Sequence, residues 1–438
     1  MGSSLVNSLV AGSIFAVFLL LSLNARMASV RLMLLFLCVL GLIRRQVAQL
    51  VGYAEQDPIL LVGPAYAFFI TAWHLFQTRL VLDRKSARLA AILAGIMVLQ
   101  VFNPFQGGIL IGLAGVLFYL VPLVWYFLGF GFRSPGLLTA VINTMMIVCV
   151  VSALYGLKQV YFGYSEAELV WQRFTGFAVE VSQKVQRPYS FFSSPAEFTH
   201  VLTIGFVLFF CQLLAGKRFA VVPLAVLGMT TVLSGQRGAV VSLMGTSVLL
   251  WVIQSRQWQI WGVRLLMALA VLMLVGGWTI TRLQTFQLSD SSSELVGHQI
   301  EGLTDPLGKK STLGIHLNLV QEGMLRGITN PIGYGLGATS HTSRLTDSKD
   351  KSDLYSAEFD VADMFVSLGV VGGVTYVLFL FQCIRKSLFS WTRNRDFEGL
   401  CILGCILVSL GQIAYGGQYF CAMFFWLALG AFDATRAD

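Results

Sequence analysis

Arg237 stands where arginine is costly. It sits in Ser234-Gly235-Gln236-Arg237-Gly238, a tight turn between two apolar runs, and an arginine at the centre of a bilayer helix costs about 2.5 kcal/mol or more. Two readings stay open. The guanidinium could snorkel to lipid headgroups, or it could join the free backbone N–H groups of a helix start in an anion site suited to phosphate. Arg187 opens a second segment, Arg187-Pro188-Tyr189-Ser190-Phe191-Phe192-Ser193-Ser194-Pro195-Ala196-Glu197, which leads into the apolar run from Phe198. Its prolines and serines describe a constrained lead-in loop, with Pro195 suited to a first helical turn. Read alone, Arg187 is a surface arginine on that loop. Read with Arg237, it makes a pair of arginines at span starts that suits a diphosphate.

Acidic residues gather as Glu358, Asp360 and Asp363. Asp360 and Asp363 have the spacing of an N-cap and its partner at the third position, which leaves Glu358 outside the helix as a candidate general base. Glu358-Phe359-Asp360 or Glu55-Gln56-Asp57 could instead hold a divalent cation, but a lone acid-x-acid triplet ranks below base or cap. The histidines do not share metal-ligand spacing. His74 and His200 fall inside apolar runs, His298 and His341 in loops, and His316 on the polar face of an amphipathic segment. Neither a metal nor a cofactor is expected. Gly333-Tyr334-Gly335-Leu336-Gly337 follows a helix rather than a strand, so it reads as a flexible turn and not as a nucleotide loop.

The elements that must position these residues are apolar throughout. The chain has 438 residues, 56% of them hydrophobic and 12% charged, and its mean hydropathy is +0.74. Soluble domains carry about 25% charged residues, so a soluble multidomain enzyme is excluded. Disorder is excluded by 33 Phe, 9 Trp and 13 Tyr. The net charge of +8 is scattered in ones and twos between apolar runs, which is a topology signal and not a nucleic-acid groove. All seven cysteines lie inside apolar runs, so no disulfide framework is expected. Residues 1–24 lack a basic n-region and a cleavage site, and read as a retained span rather than a signal peptide.

Thirteen candidate spans follow, at 5–24, 30–43 (short), 58–76, 87–102, 108–128, 136–156, 198–214, 219–233, 238–253, 262–280, 361–384, 400–414 and 419–432. If they alternate, Arg79, Arg84, Lys85, Arg88, Arg133, Lys217, Arg218, Arg256, Arg264, Arg385, Lys386, Arg393 and Arg395 share one side, which is then cytoplasmic. The chain divides into N-terminal spans (1–156), a first long outward loop (157–197), central spans (198–280), a large outward loop (281–360) and C-terminal spans (361–438). Within the large loop, residues 311–328 place Leu313, Leu317, Val320, Met324 and Ile328 at helical spacing. That pattern predicts an amphipathic helix lying at the membrane surface.

In this order the motifs resemble the O-antigen ligase and polymerase superfamily of integral-membrane glycosyltransferases. The matching pieces are Arg187 with 191–195, the Ser234 to Gly238 turn, Asn330-Pro331-Ile332-Gly333-Tyr334-Gly335-Leu336-Gly337, and Leu368-Gly369-Val370-Val371-Gly372. The resemblance implies an all-α polytopic fold of GT-C type with about 12–13 transmembrane helices, and no metal or soluble nucleotide sugar. It also implies a bacterial inner-membrane location with a periplasmic active face. The implied substrates are a polyprenyl-diphosphate-linked glycan donor and a glycan acceptor, with a flippase and a chain-length regulator as partners. Arg187, Arg237, His316 and Arg326 would hold the diphosphate and Glu358 would act as base. Two positions depart from the family. Glu358 replaces a histidine of the ligase branch, which favours the polymerase branch, and His316 replaces an arginine, which removes one guanidinium fork. A ligase transferring glycan to lipid A core is the alternative, and a lipid-linked oligosaccharide flippase is another. Tyr161, Phe162, Tyr164, Trp171 and Phe174 suit stacking on sugars or anchoring at the interface.

Overall fold

The computed structural model describes residues 2–54, 57–77, 81–175, 180–182, 185–255, 260–264, 267, 313–339, 359–414 and 418–436. Among them the chain is helical, apart from a two-stranded antiparallel hairpin of β1 (Glu180–Ser182) and β2 (Val185–Gln186). The helices are α1 (Gly2–Asn24), α2 (Arg26–Val51), α3 (Val62–Gln77), α4 (Lys85–Gln100), α5 (Ile109–Gly115), α6 (Val121–Phe132), α7 (Pro135–Phe162) and α8 (Glu166–Thr175). They continue as α9 (Pro195–Leu214), α10 (Val221–Leu233), α11 (Arg237–Ile253), α12 (Leu313–Thr329), α13 (Asp360–Asn394), α14 (Phe397–Val408) and α15 (Tyr419–Thr435). Seven helical stretches in the described residues are long and apolar enough to cross a membrane, and four shorter apolar helices accompany them. The chain is thus a polytopic α-helical protein of membrane type. The candidate span 262–280 lies almost wholly outside the described residues.

The core is built from aromatic and aliphatic faces of these helices. Tyr126, Phe379 and Trp426 meet there, with Phe379 stacked on Trp426 at 5.7 Å, and Trp125 lies against Tyr66. Cysteines behave as small hydrophobes here, and all seven are buried thiols.

Basic connections meet at one end of the bundle. Arg133 Nη2 donates to Asp83 Oδ1 at 3.0 Å, Arg436 reaches both Asp396 (2.6 Å) and Glu398 (2.9 Å), and Lys386 pairs with Asp433. Ser86 Oγ donates to Asp433 Oδ2 at 2.6 Å, which ties the N-terminal half to the C-terminal half at that end.

At the opposite end the glycine segment 333–337 is no flexible turn. Tyr334 N donates to Val366 O (2.9 Å), Gly335 N to Ser367 O (3.1 Å) and Leu336 N to Gln100 O (3.2 Å). Helix α13 breaks at Gly369, whose φ is +69°, so Val366 and Ser367 offer carbonyls that the segment takes. In return Val370 N donates to Pro331 O at 3.2 Å. Gln100 and Asn103 hold the other side through Ile332 O (2.6 Å) and Gly333 O (3.0 Å). A Cβ on Gly333 would press into the backbone of 367–369, and one on Gly369 into Pro331 O. The two glycine motifs therefore mesh backbone to backbone.

Helix α12 forms as expected, but its packing differs. It rests on α13 through glycine: Gly323 and Gly327 are buried, with Gly327 against the backbone of Phe365. The apolar stripe faces outward, with Leu317 and Ile328 more than half exposed.

Gly369→Ala should lower stability by about 1–3 kcal/mol from left-handed backbone strain alone, and by more from the clash with Pro331. Thermal unfolding of the purified protein in detergent measures it, and an unchanged melting temperature would contradict the meshed-glycine account.

Candidate functional site

The loop that carries Arg187 is fixed by a buried arginine. Helix α2 runs through Arg44 and Arg45 to Val51, well beyond the short span 30–43, and both side chains are buried. Arg45 Nη1 lies 3.2 Å from Glu168 Oε1, its Nη2 donates to Ser190 O (2.7 Å), and its Nε donates to Gly41 O (2.9 Å). The guanidinium also sits 4.8 Å over the Tyr189 ring. Glu168 in turn accepts from Ser165 N and from Gln159 Nε2, and Gln159 Oε1 takes the N–H groups of Tyr189 (3.0 Å) and Ser190 (2.7 Å). Ser190 has φ +50°, a strained region for a non-glycine residue, and this web of bonds holds it there. Arg44 pairs with Asp57, reaches Ser193 Oγ at 3.4 Å and lies over Trp171 at 4.8 Å.

Arg237 comes from a different turn. Gly235, with φ +72°, closes the α10 end, Gln236 adopts an extended N-cap conformation, and Arg237 is the first residue of α11. Its guanidinium therefore shares the helix start with backbone N–H groups and the positive end of the dipole. Arg187 lies within electrostatic reach of Arg237. Burial, and then the like charge of Arg237, hold the Arg187 guanidinium below its ordinary pKa. Two adjacent guanidinium charges repel, and an anion placed between them relieves that repulsion.

Beside Arg237 a cavity of about 270 Å³ opens between α9, the α11 start, the α13 start and the α14 end. Its polar wall is Thr199, His200, Thr203, Gln236, Ser242 and Gln412, with Phe359 among the apolar lining. The hydroxyl protons are already used: Thr199 Oγ1 donates to Pro195 O (2.9 Å), Thr203 Oγ1 to His200 O (2.9 Å) and Ser242 Oγ to Val408 O (2.9 Å). Their lone pairs remain for a ligand. His200 Nδ1 meets Gln418 Oε1, which can only accept, so Nδ1 carries the hydrogen and Nε2 accepts from Ser409 Oγ at 2.8 Å. The imidazole is thus a fixed wall and not an idle base. None of the wall residues carries a formal charge in this state, and the wall is rich in acceptors. It suits a neutral ligand that brings hydroxyl donors.

Two buried carboxylates set the walls. Glu197 Oε1 accepts from Phe420 N at 2.8 Å, joining the starts of α9 and α15. Pro195 does open α9, with Ser194 as N-cap. Asp360 was expected as an N-cap, and this is corrected: Phe359 is the N-cap, and Asp360 Oδ2 accepts from Ala414 N at 3.0 Å. Asp360 N also donates to Gly411 O at 3.0 Å, so the α13 start is clamped to 411–414.

The other expected site residues are less gathered. Glu358 lies outside the described residues, although the next residue, Phe359, lines the cavity. His316 is in α12, with its side chain outside the described set. Arg326 is in the last turn of α12 and pairs at 4.0 Å with Glu322 of the same helix; it is not among the cavity-lining residues. Glu55 lies outside the described residues, and Asp57 is engaged by Arg44 and by Ile59 N (3.0 Å). No cluster with metal-ligand geometry occurs among the described residues. Of the loop aromatics, Tyr164 stacks on Tyr189 at 5.6 Å and donates to Arg187 O at 3.0 Å, while Trp171 carries Arg44. These two shape the loop, whereas Phe162 is 84% exposed.

Sequence reasoning missed Arg44 and Arg45. The signal was present, since two arginines at the outward end of the second span break the positive-inside pattern as Arg237 does. Arg45→Met should cost about 3–5 kcal/mol, because it leaves Glu168 buried without its counter-charge. Adding Glu168→Gln should return part of that loss, measured as melting temperature. An Arg45→Met protein as stable as wild type would remove the buried pair from this account.

Neither protein-family models nor curated proteins show a match to this chain.

Proposed function

We propose that the chain is a membrane glycosyltransferase of GT-C type that polymerises polyprenyl-diphosphate-linked oligosaccharide repeat units. The product is O-antigen or exopolysaccharide, made at the periplasmic face of the bacterial inner membrane. The electrostatic influence of Arg237, the first residue of α11, on Arg187 supports this reading. A diphosphate needs two fixed cations close together, and arginine supplies them in a fork that matches phosphate oxygens. The neutral, acceptor-rich cavity beside them suits sugar hydroxyls. The site also lies at the end of the bundle away from the basic connections, in keeping with a periplasmic active face.

In this reading the lipid lies along the spans with its diphosphate between the two arginines. An acceptor hydroxyl attacks the anomeric carbon, the bond to the diphosphate oxygen breaks, and the leaving diphosphate takes the electron pair. Arg187 and Arg237 stabilise the charge that develops on it. Glu358 accepts the hydroxyl proton, and the single displacement inverts the anomeric centre. The acid at Glu358, where the ligase branch has histidine, favours polymerase over ligase.

With expression matched, Arg187→Ala and Arg237→Ala should each slow polymerisation by about 10²–10³-fold. A gel of lipid-linked glycans should then show single repeat units accumulating and long chains lost, with Arg237→Lys intermediate. Unchanged long chains in both alanine variants would sink the diphosphate clamp, and long chains stranded on the carrier would bring back the ligase. Thr203→Val removes one cavity acceptor and, of the helix's own bonds, only the side-chain bond to His200 O. It should raise KM for the glycan about fivefold with kcat nearly unchanged, and a wild-type KM would remove the sugar from that cavity.

A further inference from the structure

A second cavity, of about 340 Å³, lies at the other end of the bundle, far along α13 from the first. Its wall is Arg385, Leu388, Phe389 and Thr392 of α13 with Arg395, the left-handed C-cap that ends the helix, facing Ser255 and Trp261 from beyond α11. The helical residues follow three- and four-residue spacing, so one face of α13 presents Arg385 with Leu388 and Phe389, and the C-cap brings Arg395 to the end of that face.

Depth places this cavity among headgroups. Helix α13 has 35 residues, about 50 Å of path at 1.5 Å per residue, against roughly 40–45 Å for a bilayer with its headgroup layers. Its start belongs to the opposite end, so its final turns reach headgroup level on the basic side. Trp261 is of the aromatic type found at that level.

The floor is rigid and the charge is spare. Trp391 Nε1 donates to Ile253 O (3.2 Å) and Arg395 Nη1 to Gln254 O (2.8 Å), so α13 caps the last carbonyls of α11. Trp261 Nε1 donates to Ser255 O at 3.1 Å. Among the described residues the carboxylates of this end are engaged elsewhere: Asp83 by Arg133, Asp396 and Glu398 by Arg436, and Asp433 by Lys386. Among the described residues neither Arg385 nor Arg395 pairs with a carboxylate. Arg385 spends its Nε on Gln382 Oε1 (3.1 Å) and Arg395 one N–H on Gln254, which leaves most of each fork for an anion.

We infer that this cavity is a binding site for an anionic glycerophospholipid of the basic-side leaflet. Arg385 and Arg395 take the headgroup phosphate, and Leu388, Phe389 and Trp261 take the glycerol and the first acyl carbons. The inference does not depend on the glycosyltransferase reading.

Native mass spectrometry of the full chain in detergent, titrated with phosphatidylglycerol or phosphatidylcholine, tests it. Wild type should retain phosphatidylglycerol in preference, and R385Q/R395Q should weaken that retention roughly thirtyfold, the product of two basic contacts, while phosphatidylcholine retention stays the same. Equal retention of the two lipids, or unchanged retention by the double variant, overturns the site. Displacement of the lipid by inorganic phosphate at matched ionic strength would assign the cavity to a free anion instead. A photoactivatable phosphatidylglycerol bound to wild type gives a reading independent of the variant's folding. It should label 255–264 or 385–395, and labelling confined to other segments also overturns the proposal.

Discussion

Burying a guanidinium in a low-dielectric bundle is possible only when almost every one of its N–H groups and its charge are met, and Arg45 is the place where this chain does so. Its counter-charge Glu168 comes from α8, its carbonyl partner from Ser190, and its ring contact from Tyr189. Each partner lies more than a hundred residues away, so the first long loop is drawn onto α2 by one side chain. Apolar packing alone would leave the segment from Arg187 to Ser194 many conformations of similar energy. The arginine selects one, because any other leaves buried charge unmatched. Its specificity is visible at Ser190, whose strained backbone is held by hydrogen bonds to Arg45, Gln159 and Ser152.

The same economy appears on the other side of the site with no charge involved. There the constraint is backbone to backbone: the glycine segment after α12 supplies hydrogen bonds that α13 gives up at its break. Side chains would hold the chains apart, so the sequence places glycine at both faces of the contact. Both halves of the site are therefore positioned by elements distant in sequence, one through an ion pair and one through interlocked main chain.

This explains what could be seen in advance. The apolar runs, the connection of the SGQRG turn to a helix start and the role of Pro195 depend on local sequence, and they were legible. Arg187 and Arg237 each stood out as an arginine at the start of an apolar run. Arg44 and Arg45 looked like the end of a span because their partners, Asp57, Glu168 and Ser190, cannot be foreseen from spacing. Asp360 looked like a cap because the segment 411–414, which it actually serves, is remote in sequence. Glycine in 333–337 allows many turns, and only the broken helix opposite decides among them.

The piece of α13 from Asp360 to Leu368 has a mechanical consequence. It is pinned at its first residue to 411–414 and at its last to the segment 331–335. A short helix resists compression because shortening it breaks its own hydrogen bonds, so it acts as a push-rod between two remote parts of the chain. Through it α12, which rests on Phe365, is linked mechanically to the wall that contains Phe359, Gly411 and Gln412. The wall of that chamber and the seat of α12 are thus two ends of one short helix.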